Sequence, residues 1–186
     1  MNLFPIRDDY ISERRQPVEH NLMLARQGDP AAFERLLTPY LAGLFGFIRK
    51  RVDRMAEDVY QETLLAAWRA IPGFKEEASL KTWLYAIAGY KCADAIRSLA
   101  RQPHLEQLDE ATPSPGFEED SAGRLVVKTA LGRLGNADQQ LLYLVYSQGF
   151  TQREAASILQ IPEGTVKSRL HRLRGTLKAH LEGGTP

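Results

Sequence analysis

The chain has 186 residues, 44% of them hydrophobic and 25% charged, with a net charge of +1. That length and apolar share suit one or two small globular domains and exclude a fibrous or largely disordered chain. A single cysteine, Cys92, excludes an internal disulfide and points to a reducing cytoplasm. The longest apolar run, residues 40–48, is too short to span a bilayer, so no membrane insertion is expected.

Residues 1–16 mix charges with Pro5 and read as a disordered tail. Asp29 followed by Pro30 reads as a helix cap with a proline start. Phe33, Leu37, Tyr40, Leu41, Leu44 and Ile48 then trace one apolar face. Pro39 lies inside this run and predicts a kink or a split. Asp53 is placed to cap a second helix that runs to about Ile71 and ends at Pro72-Gly73. A third helix starts near Ser79 and continues to about Ala100, with Leu80, Leu84, Ile87, Ala88, Ala95 and Leu99 as its core stripe.

From 101 to 122 the periodicity collapses among Pro103, Pro113, Pro115 and Gly116. This segment carries six acidic residues between Gln102 and Gly123 and no Lys or Arg, which reads as a flexible acidic linker. Helices follow near Arg124–Leu134 and Asp138–Ser147. No strand-like alternation holds long enough to assign. The predicted fold class is therefore all-α, with two small helical domains at 17–100 and 123–181 and a short tail at 182–186.

Residues 151–174, TQREAASILQIPEGTVKSRLHRLR, read as a helix-turn-helix. Thr151 and Glu154 form a capping box, and Ala155, Ile158 and Leu159 face inward. Gln160 occupies the tight turn, where glycine often supplies a positive φ, and Pro162 opens the next helix. Val166, Leu170, Leu173 and Leu177 form a buried stripe, while Lys167, Ser168, His171 and Arg172 project from another side. A helix with such donors suits a major groove.

Two further constellations stand out. Asp58, Gln61 and Glu62 lie on one helix face, which by spacing alone reads first as a solvated face and, in the alternative, as a docking face for a partner. Trp83, Tyr90 and Arg97 are spaced by seven, with Phe74, Lys75, Lys81 and Lys91 nearby. Aromatics among cations suit unstacked bases and a phosphate backbone, but half-buried core positions read the same way. Asp94 lies within that face as a partner for Arg97 or for a residue of a neighbouring domain. No nucleophile–base pair, phosphate loop or metal-ligand spacing is present in the sequence, so neither enzymatic activity nor a metal or other cofactor is expected.

The combination of DVYQET, KTWLYAIA, an acidic linker and IPEGTVKSRLHRLR closely resembles an extracytoplasmic-function (ECF) sigma factor of the sigma-70 family. The resemblance implies region 2 in the first domain and region 4 in the second. It further implies that Asp58, Gln61 and Glu62 dock on the β′ clamp helices of core RNA polymerase, with region 4 at the β flap. Phe74, Lys75, Lys81, Trp83, Tyr90, Lys91 and Arg97 would hold the −10 promoter DNA, and Lys167, Ser168, His171 and Arg172 would read the −35 element. An anti-sigma factor is the family's usual further partner. Two positions depart from the family pattern: Tyr90 stands where Asn is usual and Gln160 where the turn Gly is usual. A free-standing helix-turn-helix regulator and a polymerase-sequestering protein are the alternative readings.

Overall fold

The computed structural model describes residues 18–101 and 134–181. The tails at 1–16 and 182–186, all but the first residue of the 101–122 linker and nearly all of the helix expected near Arg124–Leu134 lie outside the described residues. The described chain is helical throughout: α1 (18–26), α2 (Pro30–Val52), α3 (Ala56–Ala70), α4 (Leu80–Arg101), α5 (Asn136–Leu142), α6 (Gln152–Leu159) and α7 (Glu163–Leu181).

Local chemistry sets most of the helix starts. The Asp29 carboxylate accepts from the N–H groups of Ala31 and Ala32 at 2.8 and 3.0 Å and caps α2. Ser79 does the same for α4, its hydroxyl accepting from the Thr82 N–H at 3.0 Å. Helix α2 runs unbroken through Pro39, which corrects the expected split. The apolar face on both sides of the proline, Leu36 and Leu37 before it and Leu44, Phe47 and Ile48 after it, is buried in one fold and holds the two segments in line. Asp53 also departs from expectation. It terminates α2 at φ 32° and opens a short 3₁₀ turn, Asp53–Met55, while α3 starts after Met55 without a side-chain cap. The α2 terminus claims the backbone of Asp53 before its carboxylate can serve α3.

The first three long helices pack on one another. Helix α3 buries Ala56, Val59, Thr63 and Ala67 at helical spacing, with the Thr63 hydroxyl donating to the Val59 carbonyl at 2.7 Å. In α4 the expected stripe is largely inside, Leu84 and Ala88 fully so, but a second face consisting of Thr82, Tyr85, Gly89 and Cys92 is buried as well. That second face is covered by the C-terminal helices. Core residues of α2, α3 and α4 form one continuous cluster with Leu141, Leu144, Phe150, Ala155, Ile158, Val166, Leu170 and Leu173, so the two halves share a core. A smaller cluster beneath α1 joins Leu22, Ala25, Ala32, Leu36, Ile71 and Phe74.

In the C-terminal half, α5 continues into a π turn at Tyr143–Ser147. The Thr151–Glu154 capping box is formed in both directions, and Gln160 adopts the left-handed conformation at φ 58°, ψ 42°. Its own N–H still reaches the carbonyls of Ala156 and Ser157, closing the helix end.

Candidate nucleic-acid and partner interfaces

Helix α3 separates an apolar side from a polar one. With Val59, Thr63 and Ala67 buried, Asp58, Gln61 and Glu62 are all exposed. Glu62 receives Lys91 of α4 at 3.1 Å, an exposed ion pair that contributes little to stability. Leu65 sits one heptad beyond Asp58 and is 48% exposed. An apolar residue in the middle of a polar helix face has the profile of a contact anchor. Its spacing from Asp58 was the signal in the sequence that would have found it.

The loop before α4 carries a second surface. Phe74 is buried, its carbonyl takes the Arg26 guanidinium, and Arg26 also pairs with Glu76 at 2.9 Å. Trp83 is half-buried, its ring 5.0 Å from that of Phe74 and inclined by 43°. The core reading of Trp83 is thus met in part, with one side packed on Phe74. Beside these residues lies a cleft of about 410 Å³ lined by Val18, Leu22, Leu36, Phe74 and Leu80 together with Glu76 and Glu77. Lys75 is exposed and Tyr90 is 57% exposed, farther along α4. Arg97 pairs with Asp94.

Lys81 departs from its companions. Its ammonium donates to the Gln148 carbonyl and lies 4.6 Å from the centre of the Phe150 ring, so it faces the C-terminal half. Burial pulls its pKa down, and Glu154 only partly opposes this.

Helix α7 carries the third surface. Val166, Leu170 and Leu173 are buried against α5 and α6, which leaves Lys167, Ser168, His171 and Arg172 exposed. Ser168 donates to the Thr165 carbonyl at 3.1 Å, and Arg172 pairs with Asp138 of α5 at 2.8 Å. Arg172 is still 65% exposed in that pair, and its fork is available to an acceptor from outside.

Between the halves, polar contacts accompany the shared core. The Thr82 hydroxyl donates to Glu154 at 2.7 Å, the Tyr85 hydroxyl to Gln148 at 2.9 Å, the Tyr143 hydroxyl to the Gly43 carbonyl at 3.0 Å and Arg51 to Gln140 at 3.2 Å. Burial would raise the Glu154 pKa, but hydrogen bonds from the Thr151 backbone, Thr82 and the Thr151 hydroxyl, with Lys81 nearby, hold it below the usual range. Cys92 is fully buried, and desolvation pushes its thiol up to about 11, with Arg51 opposing. Among the described residues no group of three or more His, Cys, Asp or Glu is arranged to hold a metal ion, and no helix is long and apolar enough to cross a membrane.

Residues 36–102 match the family model "Sigma-70 region 2", and residues 124–177 match "Sigma-70, region 4". The chain is 31% identical over 166 residues to the ECF RNA polymerase sigma factor SigC of Mycobacterium tuberculosis, covering 85% of this chain and 88% of the relative. It is 30% identical over 152 residues to SigM of the same species, covering 81% and 77%. Among solved structures, the sigma factor RpoE of Bartonella quintana, crystallised with the anti-sigma factor NepR, matches with a TM-score of 0.60 at 26% identity over 81% of this chain and 96% of that one. CnrH in complex with the cytosolic domain of CnrY shares the fold with a TM-score of 0.59 at 24% identity, covering 91% of this chain and 99% of that one.

Proposed function

We propose a residue-level division of labour for this chain, which belongs to the ECF group of the sigma-70 family and directs promoter-specific transcription initiation through regions 2 and 4. Asp58, Gln61 and Glu62, with Leu65 one turn beyond them, form the face that docks on the β′ clamp helices of core RNA polymerase, while region 4 engages the β flap. The surface made by Phe74, Lys75, Lys81, Trp83, Tyr90, Lys91 and Arg97 holds the unpaired −10 strand: Phe74 supports Trp83 from beneath, Tyr90 offers a flat face and the cations follow the backbone. Lys167, Ser168, His171 and Arg172 read the −35 duplex in the major groove.

The observation that carries this reading is the exposure of these polar faces on helices whose opposite sides are fully buried. A helix that spends its apolar side on the core presents its polar side in a fixed orientation, which a partner or a groove requires. The protein works in the cytoplasm, where polymerase and promoter are, and an anti-sigma factor is its regulatory partner, as NepR is in the Bartonella quintana complex. Run-off transcription from a fragmented genomic library with purified core polymerase tests the proposal. Discrete starts that share paired −35 and −10 sequences and appear only with the chain present support it. Duplex binding by the chain alone with no new starts would favour a free-standing regulator.

A further inference from the structure

We infer that Arg26 of α1 is a positioning residue for −10 reading: with Glu76 it clamps the loop ahead of α4 and so sets Phe74, Lys75 and Trp83 for the unpaired strand. The inference rests on the sigma-factor reading above. It adds a helix, α1, that lies ahead of the residues matched by the region 2 model.

The loop runs from Phe74 to Ser79, between the 3₁₀ turn Ile71–Gly73 and α4. Its ends are fixed locally. The Phe74 N–H donates to the Ile71 carbonyl at 3.1 Å, and Ser79 caps α4. Its middle is held from outside. Glu76 sits at φ 59°, a left-handed conformation that disfavours a residue carrying a Cβ. Strain of this kind persists only where the surroundings impose it. Here the imposing group is Arg26. Its Nη2 donates both to the Phe74 carbonyl and to the Glu76 carboxylate, the latter at 2.9 Å. The two bonds bracket Lys75, which is left exposed. The same hold keeps Phe74 inward with Leu22, Ala25, Leu36 and Ile71, where its ring meets that of Trp83 at 5.0 Å.

Stability alone does not account for the pair. Arg26 and Glu76 are 34% and 55% exposed, and an ion pair at such a site contributes little. Docking of α1 has other supports: Leu22 and Ala25 are buried with Ala32 and Leu36 of α2, and Arg35 donates to Asn21 at 3.0 Å. What the pair does control is the charge and shape of the −10 surface. Glu76 follows Lys75 directly, and an unpaired carboxylate there would repel a phosphate backbone. Arg26 neutralises it from the α1 side. Without Arg26 nothing opposes relaxation of Glu76 to a negative φ, and that rotation carries Phe74 and Lys75 with it. A reading surface has to be held to within about 0.5 Å, which a guanidinium bonded at two points of one loop supplies.

Arg26→Ala tests this in holoenzyme reconstituted from core polymerase and the full chain. The readout is −10 discrimination: run-off from a promoter recovered in the genomic experiment, divided by run-off from the same promoter with one −10 base substituted. Discrimination should fall by about tenfold in Arg26→Ala, the scale of a lost hydrogen bond to a charged group, while core binding and discrimination at the −35 element stay as in wild type. Arg35→Ala removes the other polar tie of α1 and should leave −10 discrimination unchanged. In Arg26→Ala/Glu76→Gly the carboxylate is gone and glycine accepts the left-handed backbone, so discrimination should recover severalfold. Equal losses on matched and substituted promoters, or a loss in Arg35→Ala as large as in Arg26→Ala, would overturn the positioning role. Should Arg26→Ala fail to fold, Glu76→Lys breaks the clamp by repulsion while adding positive charge. Its −10 discrimination must fall although its general affinity for DNA rises, and undiminished discrimination overturns the clamp. An absence of starts from the wild-type holoenzyme would overturn the sigma-factor reading itself, and this inference with it.

Discussion

Glu154 caps its own helix through Thr151 and, with its other oxygen, accepts the Thr82 hydroxyl of region 2 at 2.7 Å. One carboxylate therefore serves local helix formation and the packing of the two halves. Thr82→Val keeps the capping box and removes the cross-contact together with the bond between the Thr82 and Ser79 hydroxyls. It should lower stability by about 1 kcal/mol, or about 2–4 °C in Tm. Glu154→Ala removes the box and the cross-contact and should cost about 2 kcal/mol. The sign of the pH dependence follows from the depressed carboxyl pKa. The charged form is favoured in the fold, so its contribution is present above the unfolded value and lost as pH falls through the folded one. Lys81, Thr82 and Thr151 face this group and all favour its charge. Urea unfolding of wild type and Glu154→Gln should therefore differ at pH 7 and draw together below about pH 4. A gap that persists in acid would mean the charge is not what stabilises.

The α3 face calls for a different measurement. Asp58→Lys/Glu62→Lys should weaken binding to core RNA polymerase by about tenfold or more, since it places like charge where opposite charge is needed. Both positions are exposed, so helical content and Tm should change little. Glu62→Lys also faces Lys91, a surface repulsion worth no more than about 1 kcal/mol. A pull-down with unchanged affinity would remove this face from the interface. Leu65→Ser should weaken binding in the same direction without altering charge, which separates packing from electrostatics.

Arg172 offers a test of duplex reading that is nearly free of structural cost. Its pair with Asp138 is exposed on the Arg side, so Arg172→Ala should change stability by less than about 1 kcal/mol. A lost base contact worth about 1–3 kcal/mol should reduce use of −35-dependent promoters by about five- to 150-fold while core binding is retained. Promoters that do not depend on the −35 element should be spared. Equal losses at every promoter would point to a general effect on region 4 and away from sequence reading.

The features that were legible in the sequence are those whose partners lie within a few residues. The Asp29 cap, the Thr151–Glu154 box and the left-handed Gln160 are all of that kind, and each is found as read. The buried stripe of α7 was legible for the same reason, since its period is local. What escaped is the second buried face of α4, Thr82, Tyr85, Gly89 and Cys92, whose partners lie some 60 residues and more along the chain. No periodicity encodes a partner that distant. The one trace it left is Gly89 inside a strong helix, which costs stability for no local reason. Lys81 illustrates the consequence: its sequence context suggests a phosphate contact, yet its ammonium is already engaged by region 4. Trp83 was ambiguous because a stacking platform and a half-buried core residue share the same spacing, and Phe74 beneath it makes it partly both.

Cys92 reports on the same junction through chemistry that DNA does not touch. It follows Gly89, which region 4 covers, by one helical turn of α4, lies near Arg51 of α2 and is fully buried. Desolvation raises its thiol from 9.0 to about 11, so at pH 8 it carries roughly a hundredfold less reactive thiolate than an unshifted thiol. Burial blocks access in addition, and native protein should react with iodoacetamide more than a hundredfold more slowly than urea-unfolded protein. A Cβ on Gly89 would overlap the Ile158 carbonyl oxygen, whereas Gly175 of α7 faces open space. Gly89→Ala, by holding the halves apart, should accelerate the reaction at a pH where wild type is inert, while Gly175→Ala should not. The raised value also sets a direction for stability. The fold binds the thiol proton more tightly than the unfolded chain does, so this contribution is intact below about pH 9 and is lost as pH rises toward 11. Cys92→Ala removes that term, and its denaturant midpoint should fall less than wild type's across the same interval. Parallel losses in the two proteins would assign the alkaline sensitivity to other groups, the buried Tyr85 hydroxyl first among them.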